Sequence, residues 1–333
     1  MPNSLPLVQL QLLGPLLHGL KARGIDPEPI LESVGLTMSA CEHAGASVHV
    51  MVMHQFVENC AEAAQDVTFC ASIGARLDPT GWPMIQLALK QAKTLGEFLN
   101  IYVVEATKVA SSVTPYVEVR GNTVAFGETR RFEPLVKPAQ NDGFMIGLKL
   151  AILEKVLGHN MQPEKVVLVL CDPTVLPSRY DGFQTLTGNK MGPKILFPSD
   201  WLAMGLSKEG GVSEIRETSS VQKSDDFLAG FRHLLEQVVG NRALNVHEAA
   251  ALVQMSSKKL NRQLASYGTN ASSEISHIKM RYAKDTLSKT DRSIEEIASA
   301  LGYRDPSNFS RAFSNIYGLS PSQFRKEGMR LSD

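Results

Sequence analysis

Lys258, Asn261 and Arg262 are spaced i, i+3, i+4, which puts two cations and an amide on one face of a helix. That set suits base edges. Arginine can donate two parallel hydrogen bonds to guanine O6 and N7, asparagine can pair with adenine N6 and N7, and lysine suits guanine or a phosphate. Ser256 and Ser257, just ahead, bring hydroxyls and helix-start N–H groups that match a phosphate. A second cluster, Ser307, Asn308 and Arg311, projects away from Phe309 and Phe313, with only short polar groups beside its arginine. For both clusters the alternative is an ordinary solvated helix face.

The elements that must position these residues form a repeat. Val246, Ala249, Ala250 and Val253 make one apolar stripe, and Ile294, Ile297, Ala298 and Leu301 repeat it 48 residues later. Each stripe has a helix-start signal: Asn245 lies three residues before Glu248, and Ser293 three before Glu296. Each leads through a tight turn to a second helix. The first is 256–267, with Leu260, Leu264 and Tyr267 inward; the second is 307–317, with Phe309, Ala312, Phe313 and Ile316 inward. Two short helices joined in this way place one helix in a DNA major groove. The units are therefore read as helix-turn-helix pairs at about 245–267 and 293–317. A helix over 272–289, with Ile275, Ile278, Tyr282 and Leu287 as its core face, separates them. At ~1.5 Å per residue it spans roughly 27 Å, so the reading helices are expected about one DNA turn (~34 Å) apart.

The 333-residue chain is too long for one ordinary core, and its 43% hydrophobic and 20% charged residues fit a folded two-domain protein. Its zero net charge is a cancellation: residues 1–239 hold 20 basic against 25 acidic residues, and 240–333 hold 14 against 9. A basic block on an acidic body points to a polyanionic partner for that block. The four cysteines are scattered, which suits buried free thiols in a reducing compartment. There is no signal-peptide pattern and no apolar run near ~18 residues, so the expected setting is cytoplasmic, without a membrane span.

Along the first two hundred residues, helices are expected at 5–21 (kinked or broken at Gly14-Pro15), 27–34, 48–65, 82–92, 94–111 and 134–158. Tyr116, Glu118 and Arg120 alternate with valines ahead of Gly121-Asn122 and Val124-Ala125-Phe126, a β-hairpin signal. Strands follow at 166–171 and 195–197, with 172–193 read as loop plus a short helix. The fold class is α+β: a mixed α/β domain at 1–210, a linker at 211–226, and an all-α domain at 227–330 with two helix-turn-helix units.

The run Ser293-Ile294-Glu295-Glu296-Ile297-Ala298, Leu301-Gly302-Tyr303, Ser307 to Phe313, Gly318-Leu319-Ser320-Pro321 and Phe324-Arg325 resembles the signature of AraC/XylS-type transcription regulators. That resemblance covers about 100 residues. It implies a seven-helix, bipartite domain that binds double-stranded DNA and regulates transcription, most often as an activator contacting RNA polymerase. By position, Lys258, Asn261, Arg262, Ser307, Asn308 and Arg311 match the family's base-contacting sites. Ser314 departs from the pattern, since the family usually carries a basic residue there. Residues 1–210 resemble, by order and texture, the arabinose-binding-type effector domain of one branch of the family. This implies sensing of a small-molecule effector and homodimerisation. Trp82, Tyr102, Tyr116, Arg130, Arg131 and Trp201 are candidates for a pocket, with no contact assigned.

Other classes find little support. The H-E-x-x-H, G-x-S-x-G, Walker and G-x-G-x-x-G motifs are all missing. His49 and His54, five apart, suit two ligands on one helix face poorly, so neither a catalytic nor a metal site is expected. Asp78-Pro79 and Asp172-Pro173 read as turn starters, and no cofactor is called for. A ligand-independent dimeric regulator or a repressor stays open, and the large α/β domain argues against a purely architectural DNA binder. The first unit, with its richer face, is expected to supply most of the sequence discrimination, and the second to set affinity and register.

Overall fold

A computed structural model describes residues 5–42, 46–108, 111–207, 227–240 and 244–330. They form two compact units, one within 6–207 and one within 227–330. The expected linker, 211–226, lies outside the described residues.

The first unit begins with β1 (Leu7–Gln9), α1 (Gly14–Ala22), α2 (Glu28–Glu32), α3 (Met38–Glu42), β2 (Ser47–His49) and α4 (Val50–Ala63). It continues with α5 (Phe69–Arg76), α6 (Pro83–Gln91), α7 (Leu95–Ala106), β3 (Val113–Arg120), β4 (Thr123–Arg130) and α8 (Ala139–Leu157), and ends with β5 (Val167–Leu170), β6 (Gln184–Thr187) and β7 (Lys194–Pro198). One sheet pairs β1 with β2; the other runs β3-β4-β7-β5-β6 and is antiparallel except between β5 and β6. Helix α8 lies between the larger sheet and α5. Glycines make the α5–α8 approach possible: a Cβ at Gly147 would stand 2.6 Å from the Ala71 carbonyl oxygen.

Several expectations need correction. Residues 7–9, read as helix, form a buried strand paired with Ser47–His49, the start of another expected helix. Pro6 cannot donate into a helix and favours extended backbone before it. Gly14-Pro15 opens α1 instead of breaking it, because proline in a first turn lacks only an N–H that would have no partner there. Helix α8 starts at Ala139 rather than 134, held back by Pro134 and Pro138, and α7 stops at Ala106. The stretch 172–193 contains β6, whose polar residues are all exposed at the sheet edge and show no alternation. The hairpin is longer than read, reaching Arg130, and Gly121 at its turn takes φ 58°. Both Asp-Pro pairs are turns: Asp78 accepts from Thr80 N at 3.0 Å, and Asp172 from Thr174 N at 3.1 Å.

The second unit is seven helices among its described residues: α9 (Phe227–Val238), α10 (Val246–Leu252), α11 (Ser257–Ala265), α12 (Ala271–Lys289), α13 (Ile294–Ala300), α14 (Pro306–Tyr317) and α15 (Pro321–Arg330). Helix α12 is the spine, touching α9, α10, α11, α14 and α15. Its nineteen residues run about 28 Å at ~1.5 Å each.

Candidate nucleic-acid interface and ligand cavity

Both helix-turn-helix units are built by the same local chemistry. Asn245 caps α10, accepting from Glu248 N at 3.0 Å while Glu248 accepts from Asn245 N at 3.1 Å. Ser293 and Glu296 repeat this reciprocal pair at 3.1 and 2.7 Å at the start of α13. The turns match as well: Met255 N donates to Ala250 O, and Tyr303 N to Ala298 O, each at 2.9 Å. Gln254 takes φ 51° where its counterpart, Gly302, takes φ 78°. Only glycine adopts that backbone freely, so the first turn carries some strain. We expect Asn245→Ala to destabilise the second unit by about 0.5–2 kcal/mol, checked by chemical unfolding followed by circular dichroism.

After the turns the copies slip by one residue. Helix α11 is capped by Ser256, and α14 by Asp305. Arg262 and Arg311 nevertheless each lie six residues beyond their cap, so they occupy equivalent places. Leu260 and Leu264 bury the inner face of α11, and Phe309 and Phe313 that of α14. Tyr317, not Ile316, continues the second row, packing on Phe313 at 4.7 Å between ring centres; Ile316 is 40% exposed. It falls at i+7 from Phe309, on the flank of a row set by i, i+4, i+8. Tyr267 is half-buried and stacks on Phe227.

The expected contact residues fall into two groups. Lys258 and Arg262 are exposed on α11, and Arg311, Ser307 and Asn308 on α14. Asn261 is half-buried, and its Oδ1 accepts from Ala271 N at 2.9 Å, tying α11 to the first residue of α12. Two-point readout of adenine also uses that oxygen, so on Asn261 it would have to share Oδ1 with the bond that seats α11 on α12. Ser256 Oγ accepts from Lys259 N at 3.3 Å, and half-buried Ser257 opens the helix. In the second unit Asn308 Oδ1 accepts from Arg311 at 2.8 Å and steadies its guanidinium. Asp305 accepts from Ser307 N at 2.8 Å, a bond that holds its carboxyl below the usual range and leaves a negative charge at that helix start. Sequence reasoning passed over Lys259 and Arg304, exposed cations beside the two caps. Their signal was position within one turn of a cap residue.

Three other arginines of this unit are held within it. Arg232 binds Glu274 through its Nε at 2.6 Å, holding the Glu274 carboxyl below its ordinary pKa, Arg281 pairs with Glu236, and Arg325 donates to the Arg292 carbonyl.

In the first unit, Trp82 and Tyr102 line a cavity of about 130 Å³ together with His54, Glu128 and Asn141. The remaining candidates do not meet there. Trp201 stacks on Phe197 in the core, Arg130 is buried in an ion pair with Asp142, Tyr116 is half-buried and Arg131 exposed. His49 Nδ1 accepts from Met51 N at 3.3 Å as the cap of α4. Burial pushes the His49 imidazole down to about 4 and that of His54 to about 3, so both are neutral near pH 7.

Residues 249–327 match the model of a helix-turn-helix domain, and 24–183 match the N-terminal arabinose-binding domain of AraC transcription regulators. The chain is an AraC/XylS-type regulator. It is 27% identical over 132 residues to the transcriptional activator NphR of a Rhodococcus species, covering 40% of this chain and 38% of NphR. It is 31% identical over 99 residues to the transcriptional regulator MtrA of Neisseria gonorrhoeae, covering 29% of this chain and 33% of MtrA. The chain thus spans well under half the length of these relatives. The crystal structure of the regulator CdpR from Pseudomonas aeruginosa aligns over 95% of this chain and 98% of its own, at 17% identity and TM-score 0.42. Family and relatives are transcription regulators, not enzymes. No described helix is long and apolar enough to cross a membrane.

Proposed function

We propose that this AraC-type regulator binds specific double-stranded DNA as a homodimer and activates transcription through RNA polymerase under control of a small-molecule effector. The reading rests above all on Arg262 and Arg311, exposed at equivalent places of two helix pairs whose first helices open on the same reciprocal cap. Arg262 reads bases from α11 with Lys258 beside it on a phosphate, and Arg311, supported by Asn308, reads from α14. Ser256, Ser257 and Ser307 contact the backbone. Asn261 ties α11 to α12 through its oxygen and offers a base chiefly its amide N–H groups.

The test is selection of bound duplexes from a random pool by the full chain, followed by footprinting and a salt series. We expect each protomer of the dimer to protect two major-groove segments about one turn (~34 Å) apart, and affinity that falls steeply and linearly in log–log form as salt rises. Binding that is absent or insensitive to salt would sink the reading. Light scattering of the free protein decides the dimer, and transcription from the selected site with purified polymerase separates activation from repression.

A further inference from the structure

The cavity of the first unit has a definite chemistry. Of the twenty residues lining it, the polar ones are His54, Ser112, Glu128 and Asn141, beside the Tyr102 hydroxyl and the Trp82 indole. The rest are aliphatic, aromatic or thioether side chains such as Val57, Phe144 and Met145. The charges nearby cancel. Glu128 Oε2 receives Lys149 Nζ at 2.8 Å, with both side chains almost fully buried, and Arg130 is paired with Asp142. His54 is 2% exposed, and its Nδ1 has no hydrogen-bond partner among the described residues.

We propose that this cavity is the effector site, and that its occupant is a small uncharged molecule with an apolar body of about one ring and a single hydroxyl or carbonyl group meeting His54. The proposal rests on the effector-controlled reading above and narrows it. An anion entering here would lose its hydration without finding an unpaired cation, because Lys149 and Arg130 already hold carboxylates. A monosaccharide carries a hydroxyl on nearly every carbon and has no apolar body to lay against the fourteen aliphatic, aromatic, proline and thioether residues that make up most of this wall. Size agrees, since apolar protein cavities of roughly 150 Å³ accept benzene and this one has about 130 Å³. His54, kept neutral by burial, can present one nitrogen as donor or acceptor to the single polar group.

The test measures thermal shifts of the full chain with benzyl alcohol, toluene, benzoate and L-arabinose as probes. We expect a saturable rise in Tm with benzyl alcohol, a smaller one with toluene, and none with benzoate or arabinose. Met145→Trp, which fills the cavity from α8, should abolish both shifts. His54→Leu leaves the space open, and should weaken benzyl alcohol by about fivefold to tenfold while sparing toluene. No saturable shift with benzyl alcohol overturns the proposal. A benzoate or arabinose shift that Met145→Trp removes overturns the uncharged, apolar class and leaves effector control standing. Operator binding that responds to a metabolite equally in Met145→Trp shows the site itself is misplaced, again without touching effector control.

Discussion

Replacing Arg262 with alanine should weaken binding to the selected operator by about 1–3 kcal/mol, roughly fivefold to 150-fold, and relax the base preference at one position. The basis is geometric. Arg262 is exposed on the outer face of α11 and pairs with no acidic side chain among the described residues, whereas Arg232 and Arg281 are held by Glu274 and Glu236. Its removal leaves Leu260 and Leu264 in place, so the helix should keep its seat. Lys258→Ala should behave differently, weakening all DNA about equally and lowering the salt slope by about 1. Competition binding against single-base operator variants separates these outcomes. Equal loss on random DNA would make Arg262 a phosphate anchor and remove the main base reader from the first unit.

The structure also alters the expected division between the two units. From residue types alone the first face looked richer, with an arginine, a lysine and an asparagine. Asn261 in fact carries its oxygen to the backbone of α12, while Asn308 puts its oxygen on Arg311. On the proposed reading, the first unit offers DNA a freer arginine, and the second one steadied by Asn308 before DNA arrives. A guanidinium already oriented loses less side-chain freedom on binding. Arg311→Ala should then cost discrimination comparable to Arg262→Ala in the other half of the site, although the sequence alone assigned the second unit chiefly to affinity and register.

What could be read from the chain depended on how local its cause was. The caps of α10 and α13, the Gly121 turn and the Asp-Pro-Thr turns are fixed by residues within four positions of one another, and each formed as its local chemistry requires. The strands β1 and β6 are only three or four residues long, and their partners set them: β1 is defined by Ser47–His49, and β6 by its parallel neighbour β5. The cavity draws on residues from Val8 to Leu148, a span over which no periodicity carries information. In the sequence His54 stands out only as a poor metal partner for His49, and nothing links it to Asn141 until the fold brings them to one cavity. Asn261 is the same lesson at the interface: its type suits adenine, but its partner is ten residues away on the next helix.

The largest stability effect should come from Asp142. Its Oδ1 receives the Arg130 guanidinium, its Oδ2 accepts from Cys171 N at 3.0 Å, and Arg130 also donates to the Lys190 carbonyl at 2.9 Å. The two side chains are 0% exposed, so one carboxylate joins α8, β4 and the end of β5 away from bulk solvent. Asp142→Ala strands the buried guanidinium and should destabilise the first unit by about 3–5 kcal/mol, a large part of the ~5–15 kcal/mol typical of a whole domain. The double change Arg130→Met with Asp142→Leu removes both charges and should recover most of that loss, because the penalty comes from the unpaired ion rather than from a missing attraction. The readout is clean, since both tryptophans of the chain, Trp82 and Trp201, lie in this unit and their fluorescence follows its unfolding in urea. If the double variant were as unstable as Asp142→Ala, the carboxylate's bond to Cys171 N, not charge pairing, would be what holds α8 to the sheet.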